Sequence, residues 1–167
     1  MAIDLGPDGL TLGSTTISDW DDVGGKVIQF VNGTVRTAND DSTSSTPTEV
    51  NSIYRTAITP TSTSSKILVQ FFGHFATNGS TSGSFGLYVS TDGGSSFSKI
   101  NAGNGNEAFR NVNSNTNMTS STVSYIHEPN TTSEVIYTPY FWVLFGSTFR
   151  INDNPMGSYM QLWEIGG

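Results

Sequence analysis

Cysteine is absent from this chain of 167 residues. Without a thiol the protein can form no disulfide, hold no metal through thiolates and use no cysteine nucleophile. A chain of this length buries roughly 68–70% of its unfolded surface when it folds, which is enough for a core without cross-links. We therefore expect a single domain that is stabilised by packing.

Charged residues are scarce and unbalanced. They make up only 13% of the chain, with 7 Lys and Arg against 14 Asp and Glu, which gives a net charge of -7. Affinity for nucleic acid comes mainly from Lys and Arg side chains that neutralise phosphates. Because the basic residues stand singly along the sequence, we expect no nucleic-acid partner.

Long apolar runs are also missing. No stretch approaches the roughly 18 apolar residues that a membrane helix needs. The opening "MAIDLGPDGL" has neither the basic segment nor the apolar core of a signal peptide. We expect a chain that folds in a cytoplasm and does not insert into membranes.

Helical periodicity is absent too, whereas β-branched, aromatic and Gly residues are abundant. Short apolar segments between turn formers predict about nine strands, and hence an all-β protein built as an antiparallel sandwich or barrel. The predicted strands are 26–31, 52–58, 67–76, 85–90, 97–101, 122–127, 134–145, 148–152 and 158–165. Residues 1–22 contain turn formers and no strong strand, so they are predicted to form an N-terminal arm on a β-sandwich domain of residues 23–167.

One predicted strand, "KILVQFFGHF" at 66–75, is apolar on both faces. Its first face carries Ile67, Val69, Phe71 and Phe75. Its second face carries Leu68 and Phe72 beside polar residues, which is typical of a strand between sheets or at a subunit contact. The Ser/Thr run at 59–65 is predicted to be a solvated connection whose hydroxyls bond nearby backbone.

Two other segments bear on strand continuity. Pro139 interrupts "EVIYTPYFWVLF" at 134–145 and predicts a bend or an edge position there. The stretch at 101–121 consists almost entirely of turn formers. It predicts an Ω-like surface loop or a loop packed on a neighbouring subunit.

The segment "STDGGSSF" at 90–97 fits the Asp-box pattern of sialidase-type propellers. We expect Asp92 to accept backbone N–H bonds across a hairpin, Gly94 to take a positive φ and Phe97 to anchor the turn. One copy cannot supply the four or more blades of a propeller, and no arginine cluster accompanies it. We therefore interpret the segment as a hairpin turn and not as a glycosidase site.

Candidate catalytic and metal-binding residues are few. His74 lies inside a predicted strand and is interpreted as a hydrogen-bonded structural histidine, while His127 is expected to cap a turn. The acidic pairs at 21–22 and 40–41 could bind calcium, but neither lies in an EF-hand loop, so solvated charge is the favoured interpretation. We name no catalytic, metal-binding or cofactor-binding residue and expect no enzyme.

Trp20, Trp142 and Trp163, with six tyrosines, could form a platform on which sugars stack. Trp163 alternates with Gln161 and Ile165, as in an ordinary strand. Core or interface packing is therefore the favoured interpretation for these aromatic residues.

Several segments in order along the chain resemble one known group of proteins. These segments are "IDLGPDGLTLGSTTISDW" at 3–20, "GGKVIQFVNGT" at 24–34, "TAITPTSTSSKILVQF" at 56–71 and "SYMQLWEIGG" at 158–167. They are similar to small virion and fibre-type structural proteins of marine bacteriophages, including phages of cyanobacteria. The resemblance is weaker at 100–135, and its motifs are structural.

The resemblance implies a jelly-roll-like β-sandwich, usually a homotrimer, on the outside of a virion. Trimeric heads of the tumour necrosis factor and complement type are an analogy for such a fold. The implied role is a non-enzymatic short tail fibre, capsid fibre or decoration protein without a cofactor. Its partners would be copies of itself and other virion proteins of the capsid or tail, with the arm at residues 1–22 docking it to the particle.

Two functions therefore stay open. The first is this virion-surface protein, assembled in the host bacterial cytoplasm and contributing to host-surface attachment. The second is a carbohydrate-binding module that recognises a surface polysaccharide, such as a host surface glycan, through Trp, Tyr and Asn residues near loops. The sequence assigns no ligand-binding residue to either function.

Overall fold

A computed structural model gives the fold and describes residues 3–6, 9–12, 15–17, 26–78, 80–100, 109–113, 119–152 and 156–166. Apart from one 3-10 turn at Ser52–Tyr54, the regular structure in these residues is β-strand. The strands are β1 Ile3–Gly6, β2 Gly9–Leu12, β3 Thr15–Ile17, β4 Val27–Asn32, β5 Asp40–Ser42, β6 Thr48–Glu49, β7 Thr56–Ile58, β8 Lys66–Asn78, β9 Thr81–Ser90, β10 Ser98–Lys99, β11 Phe109–Asn113, β12 Thr119–His127, β13 Val135–Phe145, β14 Thr148–Ile151 and β15 Tyr159–Ile165.

Two antiparallel sheets form the body of the protein, so the all-β prediction and the antiparallel β-sandwich are confirmed. The β9–β13 sheet has the order β10-β9-β13-β6, with β11 also paired to β9 and β7 to β13. The β8–β15 sheet has the order β4-β15-β8-β14-β5, with β12 also paired to β8. Each of the nine predicted strands overlaps a strand in one of these sheets.

The N-terminal segment differs from the prediction. Strands β1, β2 and β3 form a separate three-stranded antiparallel sheet inside residues that were predicted to hold no strong strand. Each strand is only three or four residues long, which is too short for a clear alternation of apolar and polar positions. That residues 1–22 serve as an arm stays a prediction.

Strand β8 shows the predicted division between its two faces. Ile67, Val69, Phe71 and Phe75 have no exposed surface. The residues between them on the other face, from Leu68 to His74, are half-buried. Successive side chains on a strand point to opposite sides, so one face of β8 enters the core and the other lies on the outside of the sheet.

A phenylalanine cluster fills the space between the two sheets. Phe85 of β9 lies 4.9 Å from Phe71 and 5.2 Å from Phe75 of β8, measured between ring centroids. Phe149 of β14 extends the cluster, 6.0 Å from Phe75 and 6.2 Å from Phe141 of β13. These rings come from both sheets, so they hold the sheets together through burial of large apolar surfaces.

Two glycines make room for these rings. A Cβ atom at Gly83 would lie 2.1 Å from Cγ of Phe149, and a Cβ atom at Gly73 would lie 2.5 Å from Cε1 of Phe71. Both distances are far inside van der Waals contact, so no other residue fits at either position without a shift of the phenylalanine. The ring packing therefore depends on glycine in β8 and in β9.

Pro139 lies within a central strand rather than at the sheet edge. Strand β13 pairs with β9 on one side through Pro139. On the other side the short strands β6 and β7 leave a gap at Pro139, whose carbonyl accepts a bond of 2.9 Å from the N–H of Val50. Proline has no N–H to donate, and here it faces the gap between β6 and β7, where no strand would accept that bond. The irregular register in β13 occurs later, between Val143 and Phe145.

The prediction of a loop at 101–121 is wrong for part of this segment. Strand β11 pairs with β9 over five residue pairs, and β12 already begins at Thr119. Asn-rich segments have low strand propensity, but the ladder to β9 overrides that preference. The remaining residues of the segment, 101–108 and 114–118, lie outside the described residues.

The Ser/Thr run before β8 has a structural role that its composition alone did not indicate. The N–H and the hydroxyl of Thr61 both donate to Oε1 of Glu164, at 2.6 and 2.7 Å. Glu164 is fully buried on β15. Burial alone would raise the pKa of Glu164, but the hydrogen bonds to its carboxylate, led by those from Thr61, together outweigh burial and leave the pKa below its ordinary value. Elsewhere in the run the hydroxyl of Ser62 accepts from the N–H of Ser64, as predicted.

We expect Gly83→Ala to lower the free energy of unfolding by about 1–3 kcal/mol, since its methyl group would overlap the ring of Phe149. Gly86→Ala, on the same strand, is the matched control. Its Cβ would approach its neighbours far less closely, the nearest atom being Cε2 of Tyr88 at 3.3 Å. Urea unfolding of both variants tests the packing, and equal stability of the two would contradict it.

Candidate functional site

The outer face of the β8–β15 sheet carries aligned side chains from four adjacent strands, in the order β12, β8, β15 and β4. The register places them in four rows across the sheet. The rows are Ile126, Leu68, Trp163 and Phe30; then Ser124, Gln70, Gln161 and Asn32; then Thr122, Phe72 and Tyr159; then Ser120 and His74. Neighbouring rows lie two residues apart along each strand, or about 6.6–6.8 Å.

The first row is the centre of an apolar patch, which we define as Val27, Phe30, Leu68, Ile126, Trp163 and Ile165. Phe30 is 46% exposed and Ile126 is 52% exposed. The rings of Phe30 and Trp163 lie 4.4 Å apart. Four strands at about 4.8 Å spacing make the first row about 14 Å wide, so this apolar surface is continuous.

The third and fourth rows form a groove of about 320 Å³. The rings of Phe72 and Tyr159 lie 4.8 Å apart and within 17° of parallel. At the next row Nδ1 of His74 is 2.7 Å from the hydroxyl oxygen of Ser120. Thr122 and Gly157 complete the groove. Aromatic surface and hydrogen-bonding groups therefore meet in one concave site.

Charged residues flank the four rows but do not enter them. At one end Lys66 pairs with Glu128 at 3.1 Å, and at the other end Arg150 pairs with Asp41 at 2.5 Å. None of the thirteen residues in the rows is Asp, Glu, Lys or Arg. The face can therefore bind a partner through packing and uncharged hydrogen bonds, and not through ion pairs at its centre.

The two histidines lie in different environments. His74 lies in β8 with a hydrogen bond to Ser120, as the interpretation of a hydrogen-bonded strand histidine requires. The prediction that His127 caps a turn is wrong. Strand β12 continues to His127, whose Nδ1 lies 2.9 Å from the hydroxyl of the fully buried Tyr137 on the opposite sheet. A buried tyrosine hydroxyl needs such a partner.

We expect the stability of the protein to fall as the pH drops below about 6.5. Burial lowers the pKa of His127 from its ordinary value of 6.5, although Glu128 opposes the shift. The unfolded chain therefore binds a proton at a higher pH than the folded chain, and the stability lost grows as the pH falls from 6.5 towards the folded pKa. Urea unfolding between pH 7.5 and 5 should show a smaller fall for His127→Gln, and equal falls would contradict this role.

The Asp-box segment forms the predicted turn, on the β9–β13 sheet. Oδ1 of Asp92 accepts bonds from the N–H groups of Ser95 and Ser96, at 3.1 and 3.0 Å, and from the hydroxyl of Ser90 at 2.6 Å. These bonds hold the pKa of Asp92 well below its ordinary value, with the Ser90 hydroxyl contributing most. Gly94 has a φ of 85°, as expected. The carboxylate is thus engaged by its own turn.

Phe97 anchors the same turn. The guanidinium of Arg55 lies 4.8 Å from the centroid of the Phe97 ring, and the ring of Tyr140 lies 6.2 Å away. Arg55 is itself held by Glu49 at 2.7 Å. The contacts fix the hairpin against the sheet, which supports the interpretation as a structural turn.

The acidic pair at 40–41 is divided between the two faces of β5. Asp40 is buried and accepts bonds from Arg36 at 2.6 and 2.8 Å and from Asn51 at 3.1 Å. Asp41 pairs with Arg150 across the strands. The interpretation as solvated charge is wrong for Asp40, because arginine and amide partners take its oxygens. The other pair, 21–22, lies outside the described residues, as does Trp20.

The two remaining tryptophans occupy different environments. Trp142 is 4% exposed beneath Lys99, whose Nζ lies 5.8 Å from the ring, whereas Trp163 belongs to the outer apolar patch. Sequence reasoning missed the pair formed by Phe72 and Tyr159. No local pattern joins two residues so far apart in the chain, and only the register of β15 against β8 brings them together.

Comparison with protein-family models finds no match, and comparison with curated proteins finds no similar sequence. In the described part of the chain, no helix is long and apolar enough to cross a membrane. Nor do three His, Cys, Asp or Glu side chains within those residues lie together as a metal site requires.

Proposed function

We propose that this chain is a non-enzymatic structural protein on the exterior of a bacteriophage particle, as a short tail fibre, capsid fibre or decoration protein. In this proposal its sandwich is jelly-roll-like and assembles as a homotrimer. The observation that carries the proposal is the apolar patch on the outer face of a sheet whose other face is already buried. The resemblance of four sequence segments to virion proteins supports the same class.

The chemistry of the patch supports self-assembly. Phe30 and Ile126 are about half-exposed in the single chain, and together with Trp163 and Leu68 they form a contiguous apolar surface. Such patches on soluble proteins mark interaction sites. Burial of this surface needs an uncharged, apolar partner surface, and another copy of this chain would supply one. A closed three-fold ring would bury the patch of every copy in equivalent contacts.

Attachment to the particle is assigned to the arm at residues 1–22. This segment contains the sheet of β1, β2 and β3, whose described pairings are all within the segment. Outer strands of such a sheet offer backbone groups on which a partner can add a strand. Other virion proteins of the capsid or tail would be that partner.

The absence of cysteine allows a direct test of the patch. In Ile126→Cys and Phe145→Cys, a single thiol would stand at two sites with similar exposure in the single chain, 52% and 55%. Position 126 lies in the patch, whereas position 145 lies at the end of β13 on the other sheet. We expect maleimide to label Cys at 126 at least tenfold more slowly.

A control in denaturant accompanies this labelling. Both variants should react at the same rate in denaturant, where no surface is covered. Equal rates for the two folded proteins would mean that the patch is open to solvent, and would contradict its burial between copies.

Deletion of residues 1–22 tests the docking role. We expect the shortened chain to keep its β-sandwich, as judged by circular dichroism and thermal unfolding, because the described core residues lie at 50 and beyond. Particles assembled with the shortened chain should lack it, as measured by mass spectrometry of purified virions. Particles that carry it at the normal level would exclude docking by the arm.

The second function, a carbohydrate-binding module, is favoured by the groove beside Phe72 and Tyr159. The groove is separated from the apolar patch by the row of Gln70, Gln161 and Asn32. Both functions can therefore belong to one protein, with copies covering the patch while the groove stays open for host-surface attachment.

A further inference from the structure

The groove on the outer face combines the two kinds of group that sugars require. A pyranose ring presents C–H groups on its faces, which pack on aromatic rings, and hydroxyls around its edge, which form hydrogen bonds. The stacked rings of Phe72 and Tyr159, with centroids 4.8 Å apart, supply the first through the ring surface that faces the groove and not each other. His74 and Ser120, joined at 2.7 Å, supply the second.

The hydrogen-bonding capacity of the groove is suited to hydroxyl ligands. Ser120 engages Nδ1 of His74, so Nε2 is the ring atom that can bond a ligand. The hydroxyls of Ser120 and Thr122 can each donate and accept, as a sugar hydroxyl does. A volume of about 320 Å³ is at the lower end of the range for small-molecule sites, which suits one or two sugar units.

The uncharged lining of the groove indicates which ligands it can bind. None of the residues that line the groove is Asp, Glu, Lys or Arg. The nearest pair along the same face, Arg150 with Asp41, is internally neutralised. Among the described residues no fixed cation lines the groove to pair with a phosphate, sulfate or uronate, so a neutral ligand is favoured.

The neighbouring row extends the site along the sheet. Gln70 and Gln161 lie two residues from Phe72 and Tyr159, or about 6.6–6.8 Å along the strands. Gln161 donates to the side-chain oxygen of Asn32 at 3.3 Å, so a hydrogen bond joins two of the three amides in the row. Amide groups both donate and accept, and could bond the hydroxyls of the next sugar unit.

We propose that the groove binds a neutral saccharide, with one sugar unit packed on Phe72 and Tyr159 and the next beside the amide row. The site is specific for chains of uncharged hexoses or pentoses rather than for acidic polysaccharides. The proposal deepens the attachment part of the proposed function and rests on it for its biological setting. Binding itself can be measured on the isolated full chain.

Affinity gel electrophoresis tests the site, with laminarin, dextran, galactomannan or xylan in the gel and alginate as the acidic comparison. We expect at least one neutral polymer to retard the full chain and alginate not to. Tyr159→Ala should weaken that retardation at least tenfold, whereas Tyr159→Phe, which keeps the ring, should retain it. Tyr88→Ala is the matched control, because Tyr88 stacks on Tyr140 at 3.9 Å on the opposite sheet.

A second variant covers the case in which Tyr159→Ala fails to fold. Thr122→Trp introduces a large ring from an exposed position on β12, so it should fill the groove without disturbing the core. Thermal unfolding confirms the fold, and retardation by the neutral polymer should be lost.

Three electrophoresis outcomes would overturn the proposal. They are no retardation by any of the four neutral polymers, retardation by alginate alone, or equal retardation of the wild-type chain and Thr122→Trp. A change in assembly mass in Thr122→Trp would also overturn it, by making the groove a contact between copies. Absence of sugar binding with an unchanged assembly would leave the virion role standing, so the two failures are distinguishable.

Discussion

Interlocking phenylalanine rings between the two sheets are the constraint on which the rest of the fold depends. Phe71 and Phe75 of one sheet meet Phe85 of the other, and Phe149 reaches across into the space left by Gly83. Because the rings approach so closely, they fix the register of β8 against its neighbouring strands to a single residue. A shift of one residue would move these rings to the outside of the sheet.

The same register creates the outer face. Once Phe71 and Phe75 point inward, Leu68, Gln70 and Phe72 must point outward. The ladders from β8 to β12 and β15, and from β15 to β4, align them with their counterparts in rows. The apolar patch, the amide row and the groove are therefore consequences of core packing. Their chemistry differs from row to row, which allows one face to serve both assembly and recognition.

Sequence reasoning succeeded where a physical signal is local. The alternation along β8 identified its buried face, and the turn residues around Asp92 predicted both the hydrogen bonds and the positive φ of Gly94. Strands β1 to β3, β5, β6 and β11 were missed because short or Asn-rich segments carry little propensity, and pairing with a neighbour decides their structure. The contacts of His127 with Tyr137 and of Thr61 with Glu164 join distant segments, so no local pattern could have shown them.

Assembly through the outer face is the central claim, and the absolute mass of the intact chain in solution tests it most directly. Size-exclusion chromatography with light scattering would provide that mass across a range of concentrations. Three chains of 17.9 kDa would give about 54 kDa, which is the result that the account predicts. A mass of 17.9 kDa at every concentration would contradict it. The half-exposed rings of the patch would then belong to a monomer.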